Sequence, residues 1–109
     1  MNTALSGFKA WLIQRLTAVL LVLGSLMLLG LFAFPPAQGF DAWQAWIHEP
    51  WPVVSIFLFS LALVLHAWVG VRDVIMDYVH SVALRLMALT MLAGYLLGSF
   101  FWLLWILVQ

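Results

Sequence analysis

Residues 53–71 read VVSIFLFSLALVLHAWVGV, an apolar run that contains no lysine, arginine, aspartate or glutamate. A helix needs roughly 20 such residues to cross the ~30 Å of hydrocarbon in a bilayer. One side chain of the run, His66, is ionisable, and an ionisable side chain inside a membrane is costly enough to indicate a functional site. The stretch therefore predicts a transmembrane helix that carries a site.

Two further apolar stretches flank this one. The first covers about 11–34 and ends at Pro35-Pro36, where the missing amides stop a helix. The third covers about 82–108, and we expect the second helix to extend by a more polar turn or two beyond Val71. The sequence predicts an all-α integral membrane protein, a single domain over 1–109 with three transmembrane helices that form part of a heteromeric bundle.

Composition supports this class and excludes others. Hydrophobic residues make up 67% of the chain, charged residues make up 7%, and the mean hydropathy is +1.16. A chain of 109 residues could not bury that much apolar surface in water. Four basic residues balance four acidic ones, so no basic surface for nucleic acid is expected. The absence of cysteine excludes thiolate metal ligands and an iron–sulfur cluster held by this chain alone.

The basic residues predict an orientation. Lys9, Arg15, Arg72 and Arg85 all fall on one side of the three spans, and the 35–52 loop has no lysine or arginine. The positive-inside rule assigns that side to the cytoplasm, which gives a cytoplasmic N-terminus and an outward C-terminus.

The outward loop is rich in aromatic residues. Asp41 is expected to be the N-cap of a short helix that lies along the interface. An aromatic belt anchored in the outer surface is then expected from Phe40, Trp43, Trp46 and Trp51 of the loop together with Trp102 and Trp105 of the third span.

The second helix has one face on which a cofactor could lie. At 100° per residue, a stripe within about 80° contains Ala62, His66, Gly70, Asp73 and Asp77. Small residues beside a histidine leave room for a flat macrocycle whose iron the imidazole reaches. An alternative is that the histidine only hydrogen-bonds a neighbouring helix, while the small residues serve close packing. Residue chemistry leaves both interpretations open.

The depth of the histidine limits its possible partners. His66 lies about 7–8 Å below the end of the span at Val71, so it is inside the membrane. His48 is on the outer side and His80 is in the cytoplasmic loop. A haem with two histidine ligands would therefore need a second protein chain.

Other polar residues lie near the cytoplasmic side. The Tyr78 hydroxyl could donate a hydrogen bond to a quinone carbonyl, and Asp77 could orient that hydroxyl or relay protons. Arg15, one turn inside the first span, could pair with a haem propionate. The alternatives are an ordinary interfacial tyrosine beside solvated charges, and an arginine that reaches up to lipid phosphates.

The pattern His66-x-x-x-Gly70, followed after six residues by Asp77-Tyr78 and then by Ala83-Leu84-Arg85-Leu86-Met87, resembles the smaller hydrophobic membrane anchor of bacterial succinate dehydrogenase, respiratory complex II. The resemblance extends over nearly the whole chain, although only about 66–87 is specific. In two places the chain departs from the family pattern: Arg72-Asp73 is more charged than usual, and His80-Ser81 replaces a more usual Lys-Pro.

The resemblance implies a role for each matching residue. His66 would be one axial ligand of the iron of haem b, which this chain would share with the larger membrane anchor of the complex. Tyr78 would hydrogen-bond ubiquinone, a bound substrate, with support from Asp77, and Arg15 would face a haem propionate. Asp73 and His80 could each take part in the proton route.

The resemblance also implies what surrounds the chain. The anchor would attach the flavoprotein and iron–sulfur subunits to the bacterial inner membrane, with its C-terminus in the periplasm, and it would perform no succinate chemistry itself. Alternative functions are an anchor of fumarate reductase or of another quinone-linked dehydrogenase, and a membrane scaffold without a cofactor.

Overall fold

Four helices make up the folded chain. The computed structural model describes residues 3–109, with side-chain surroundings from Gly7 onward; Met1 and Asn2 of the predicted domain lie outside it. In order along the chain, the helices are α1 (Thr3–Ala33), α2 (Phe40–Ile47), α3 (Pro50–Tyr78) and α4 (Val82–Val108). Three of them, α1 from Gly7, α3 and α4, are long and apolar enough to cross a membrane. The predicted all-α membrane fold with three spans is therefore confirmed.

The long helices run up, down and up, with α3 in the middle. Helix α3 packs against α1 on one side and against α4 on the other, where the rings of Phe57 and Phe100 lie 5.7 Å apart. The molecule is 51 Å long, so its ends project beyond ~30 Å of hydrocarbon. We call the end that contains Lys9, Arg15, Arg72 and Arg85 the basic end, and the opposite one, with residues 35–49, the loop end.

Several helix ends differ from the predicted ones. Helix α1 begins at Thr3 and stops at Ala33, ahead of the two prolines. Helix α3 begins at Pro50, three residues before the predicted start at 53, because proline is tolerated in a first turn whose amides have no helical partner. At its other end α3 continues past Val71 to Tyr78, the extension that the sequence predicted.

At the loop end, α2 is the short helix expected between the first two spans. Its N-cap is Gly39, whose φ of 88° favours glycine, and no side chain caps the helix. The prediction of Asp41 as the N-cap was wrong, because Asp41 lies inside the first turn. Its negative charge there still interacts favourably with the positive end of the helix dipole. The Trp46 ring lies 5.4 Å from those of both Trp43 and Trp51.

At the basic end, side chains fix the connection between α3 and α4. The Arg85 guanidinium donates to the carbonyl of Val79 and, over 3.0 Å, to that of Met76. These bonds satisfy carbonyls that the end of α3 leaves without helical partners. Ser81 is the N-cap of α4 and accepts from the amide of Leu84 at 3.4 Å. The backbone beside Tyr78 is thus held within the chain.

Most of the large apolar side chains face outward. Among the described side chains, the buried hydrophobic core of the helices consists of only three residues, namely Ala62, Val69 and Leu107. Outward-facing leucine, valine and phenylalanine side chains on all three long helices are stable only against lipid tails or other apolar helices. The chain is a multi-pass membrane protein.

Candidate functional site

A cleft opens between α1 and α3 at the basic end. Its volume is about 520 Å³, within the ~300–1,000 Å³ typical of sites for small molecules and cofactors. It is lined from α1 by Gly7, Ala10, Trp11, Gln14, Arg15 and Ala18, and from α3 by His66, Arg72 and Asp73. Two residues of the predicted site, His66 and Arg15, are thereby brought to one cavity from helices far apart in sequence.

The imidazole of His66 is fixed by a contact across the two helices. Its Nδ1 atom lies 3.0 Å from Oγ1 of Thr17 on α1. The Thr17 hydroxyl is also 2.6 Å from the carbonyl oxygen of Ile13, and the Thr17 residue is only 5% exposed. One ring nitrogen is therefore occupied by a hydrogen bond within the chain, while Nε2 has no such bond among the described contacts.

Two guanidinium groups border the same cleft. The Arg15 guanidinium lies over the ring of Trp11, 5.6 Å from its centroid, a cation–π contact that keeps the charge beside the cavity. Arg72 pairs with Asp73 at 3.3 Å, and its Nε atom is buried without a hydrogen-bond partner in the described chain. Both arginines have donors left for an anionic ligand.

The small residues that give the cleft its space are not the expected ones. Ala62 is 2% exposed and is part of the packed core. Gly70 faces α1, because a Cβ atom there would meet Nε2 of Gln14 at 3.4 Å. Neither residue lines the cleft, whose small side chains come from Gly7, Ala10 and Ala18 of α1. The expected room beside His66 is therefore provided by the neighbouring helix.

Tyr78 and Asp77 lie outside the cleft. Tyr78 is the last residue of α3 and is 77% exposed. It is about 18 Å along the helix from His66 and ~120° around it. Asp77 is also exposed, and no hydrogen bond joins it to the tyrosine hydroxyl in the described part of the chain. The structure therefore separates the predicted site residues into a cleft pair and an exposed pair.

No second histidine lies beside the cleft in the part of the chain that the structure describes. His48 is at the loop end, where Nδ1 contacts the carbonyl oxygen of Gln44 at 2.8 Å. His80 follows the end of α3 and is exposed. Within residues 7–109, no cluster of three or more histidine, cysteine or acidic side chains could hold a metal ion.

Three polar residues at or beside the cleft were not predicted to belong to the site: Gln14 and Arg72 line the cleft, and Thr17 contacts His66. Thr17 and Gln14 are polar side chains within an otherwise apolar span, which is the signal that could have indicated them. The Oε1 atom of Gln14 is buried without a hydrogen-bond partner in the described chain. Arg72 was not assigned to the site, because its position on α3 relative to α1 is visible only in the structure.

Three apolar helices, with a histidine and two arginines at a cleft between two of them, define a multi-pass membrane protein with a candidate site inside the bilayer. The comparisons with known proteins agree. The family model for the succinate dehydrogenase/fumarate reductase transmembrane subunit matches residues 3–104. The chain belongs to this family, whose members often bind haem.

Two curated relatives have the same description. The succinate dehydrogenase hydrophobic membrane anchor subunit of Coxiella burnetii (strain RSA 493 / Nine Mile phase I) is 25% identical over 101 residues, which cover 93% of this chain and 88% of the relative. That of Rickettsia conorii (strain ATCC VR-613 / Malish 7) is 31% identical over 85 residues, covering 77% of this chain and 68% of the relative. The chain is a membrane-anchor subunit of a succinate dehydrogenase/fumarate reductase complex.

Proposed function

We propose that this chain co-ligates haem b through Nε2 of His66 and completes a ubiquinone-reduction site of succinate dehydrogenase at Tyr78. The observation that carries the proposal is the cleft, which combines one imidazole nitrogen free of described protein contacts with two guanidinium groups. A neutral imidazole is a ligand of haem iron, and guanidinium groups pair with carboxylates such as the two propionates.

The remaining ligands of the haem come from a partner. Since neither His48 nor His80 lines the cleft, a second histidine ligand would come from the larger membrane anchor of the complex. Trp11 and the small residues Gly7, Ala10 and Ala18 of α1 supply the apolar part of the cleft lining on this chain's side. When bound, haem b supplies a one-electron carrier beside the quinone site.

At the quinone site, the work of this chain is hydrogen bonding. The Tyr78 hydroxyl, exposed at the end of α3, donates to a quinone carbonyl oxygen and stabilises the negative charge that accumulates there on reduction. Asp77, exposed next to Tyr78 at the end of α3, supports the site through its carboxylate. The larger membrane anchor and the iron–sulfur protein provide the rest of the pocket.

The basic end faces the cytoplasm in this proposal. All four lysine and arginine residues lie toward that end, as the positive-inside rule requires for the bacterial inner membrane. The flavoprotein and iron–sulfur subunits dock there and deliver electrons from succinate, whereas this chain carries out no succinate chemistry. Both curated relatives bear the name succinate dehydrogenase, which favours succinate oxidation over fumarate reduction as the direction.

A membrane scaffold without a cofactor is the second candidate, since the contact of His66 with Thr17 is what it predicts. That contact uses only one ring nitrogen, and a scaffold does not require a cleft in which an imidazole and two guanidinium groups meet. The haem proposal accounts for both.

A difference spectrum of the purified complex tests the ligand assignment. We expect His66→Ala to diminish or shift the b-type signal in dithionite-reduced minus oxidised absorbance, because one of the two axial ligands is lost. His48→Ala, at the loop end, is the matched control and should leave the spectrum unchanged. A b-type spectrum identical in shape and haem content in His66→Ala and wild type would exclude His66 as a ligand.

A further inference from the structure

Three atoms lie within hydrogen-bonding distance of the Thr17 hydroxyl, which has only one proton to donate. Its Oγ1 atom lies 2.6 Å from the carbonyl oxygen of Ile13, 3.3 Å from that of Gln14 and 3.0 Å from Nδ1 of His66. The two carbonyls can only accept, whereas an imidazole nitrogen donates or accepts according to its tautomer. The identity of the donor in each contact therefore determines where the imidazole proton lies.

The shortest of these contacts decides the arrangement. At 2.6 Å, the Ile13 carbonyl receives the hydroxyl proton, as threonine hydroxyls commonly do with the carbonyl four residues earlier in a helix. Oγ1 then presents a lone pair to His66, and Nδ1 must carry the proton to complete the 3.0 Å bond. Water offers little alternative, since Thr17 is 5% exposed.

We propose that Thr17 is a positioning residue that holds His66 in the Nδ1–H tautomer, with Nε2 unprotonated and available to a metal. The inference rests on the proposed haem ligation and names the residue that prepares the ligand for it. Metal-bound histidines almost always donate their other ring N–H to an acceptor, which fixes the ring orientation and raises the basicity of the ligating nitrogen. Here the acceptor belongs to α1, so the packing of two helices prepares the ligand.

Two variants of the whole complex separate the hydroxyl from the shape of the side chain. Thr17→Val keeps the β-branched shape and removes the acceptor, whereas Thr17→Ser keeps the hydroxyl. For Thr17→Val we expect haem retention to fall by about 10-fold, the lower end of the ~10–100-fold measured for such outer partners. The midpoint potential of the haem in this variant should rise, because a less basic imidazole stabilises ferric iron less. Thr17→Ser should restore both values toward wild type.

The measurements are haem content after serial dilution, a redox titration of the b-type absorbance, and the melting temperature of the complex. A Thr17→Val complex that melts as wild type does, yet keeps wild-type haem retention and potential, would overturn the inference. Equal losses in the valine and serine variants would also overturn it, because the hydroxyl would then not be the cause.

The His66→Ala spectrum distinguishes this failure from failure of the haem proposal. If His66→Ala alters the haem and Thr17→Val does not, only the positioning role is lost. If neither variant alters the haem, the ligand assignment itself is wrong.

Discussion

His66 and Tyr78 lie on the same helix and differ in how the chain holds them. His66 contacts α1 through a 3.0 Å bond and lines a cleft formed by two helices of this chain. Tyr78 is 77% exposed, and its hydroxyl has no hydrogen bond among the described contacts. The proposed haem ligand is therefore preorganised by a contact within this chain, whereas no described hydrogen bond of this chain orients the proposed quinone contact.

The backbone around Tyr78 is nevertheless fixed. Arg85 donates to the carbonyls of Met76 and Val79 on either side of it, so the end of α3 is closed by a side chain from α4. The side chains of Asp77 and Tyr78 are exposed beside these bonds. The helix end is therefore held by this chain, and the tyrosine hydroxyl is left accessible.

The largest expected effect comes from removing that hydroxyl. We expect Tyr78→Phe to lower the rate of quinone reduction by about 10²-fold, because one hydrogen-bond donor to a developing negative charge is worth roughly that much. Succinate oxidation with an artificial acceptor and the haem spectrum should stay near wild type. Tyr95→Phe, in the middle of α4, is a matched control that should leave quinone reduction unaffected.

The contrast with His66 makes this prediction sharp. The two variants should affect different measurements: Tyr78→Phe should change the rate of quinone reduction, and His66→Ala should change the haem spectrum. If Tyr78→Phe lowered quinone reduction and succinate oxidation with an artificial acceptor equally, the damage would be to assembly of the complex, and a role in quinone binding would be contradicted.

An intermediate effect is expected where a glycine of α1 packs against α3. At Gly24, a Cβ atom would overlap the side-chain ring of Phe59 on α3. Gly24→Ala must therefore displace this ring or move the helices apart, two turns from the contact between Thr17 and His66, and we expect the complex to lose about 1–3 kcal/mol of stability. Measured as haem retention and melting temperature of the complex, the change should affect the haem more than quinone reduction at Tyr78.

Gly30→Ala provides the matched control in the same helix. No atom lies within 4 Å of a Cβ at Gly30, so this variant should match wild type or be slightly more stable, since alanine favours a helix. If the two alanine variants behave alike, the packing of α1 on α3 is not what holds the cleft.

The lengths of the apolar runs were enough to predict the three spans and the more polar extension of α3, and the sequence of the 35–52 loop indicated the short helix between the first two spans. The helix ends were less predictable, since Pro50 lies within α3 and Gly39 instead of Asp41 is the N-cap of α2. Local sequence shows that a boundary is near, but the choice of cap depends on how the loop folds over α3.

The cleft was predictable only in part. His66 is conspicuous as a polar side chain in an apolar run, and Arg15 is conspicuous as a charge inside a span. The contact between Thr17 and His66 joins residues 49 positions apart, and its register is set by the packing of α1 on α3. For the same reason the stripe on α3 alone suggested that Ala62 lines the site, although it is buried in the packed core.

The smallest expected effect concerns the arginines at the rim of the cleft. Arg15 is exposed, and an exposed pair with a carboxylate contributes only about 0.2–1 kcal/mol. We therefore expect Arg15→Gln to weaken haem retention by no more than about 5-fold and to lower the midpoint potential slightly, because removing a nearby positive charge favours the ferric form. Both changes should shrink as salt is added.

Lys9→Gln removes the same charge from the same end of the molecule, at a residue that does not line the cleft. If the effect of Arg15 is a contact, Arg15→Gln changes retention and potential while Lys9→Gln leaves them near wild type. Equal shifts in the two variants would mean that the positive charges of the basic end act only through their general electrostatic potential. The proposed contact of Arg15 with a propionate would then be wrong. With a contact, Arg15→Lys should fall between wild type and Arg15→Gln, since an ammonium keeps the charge but loses the two-pronged geometry of the guanidinium.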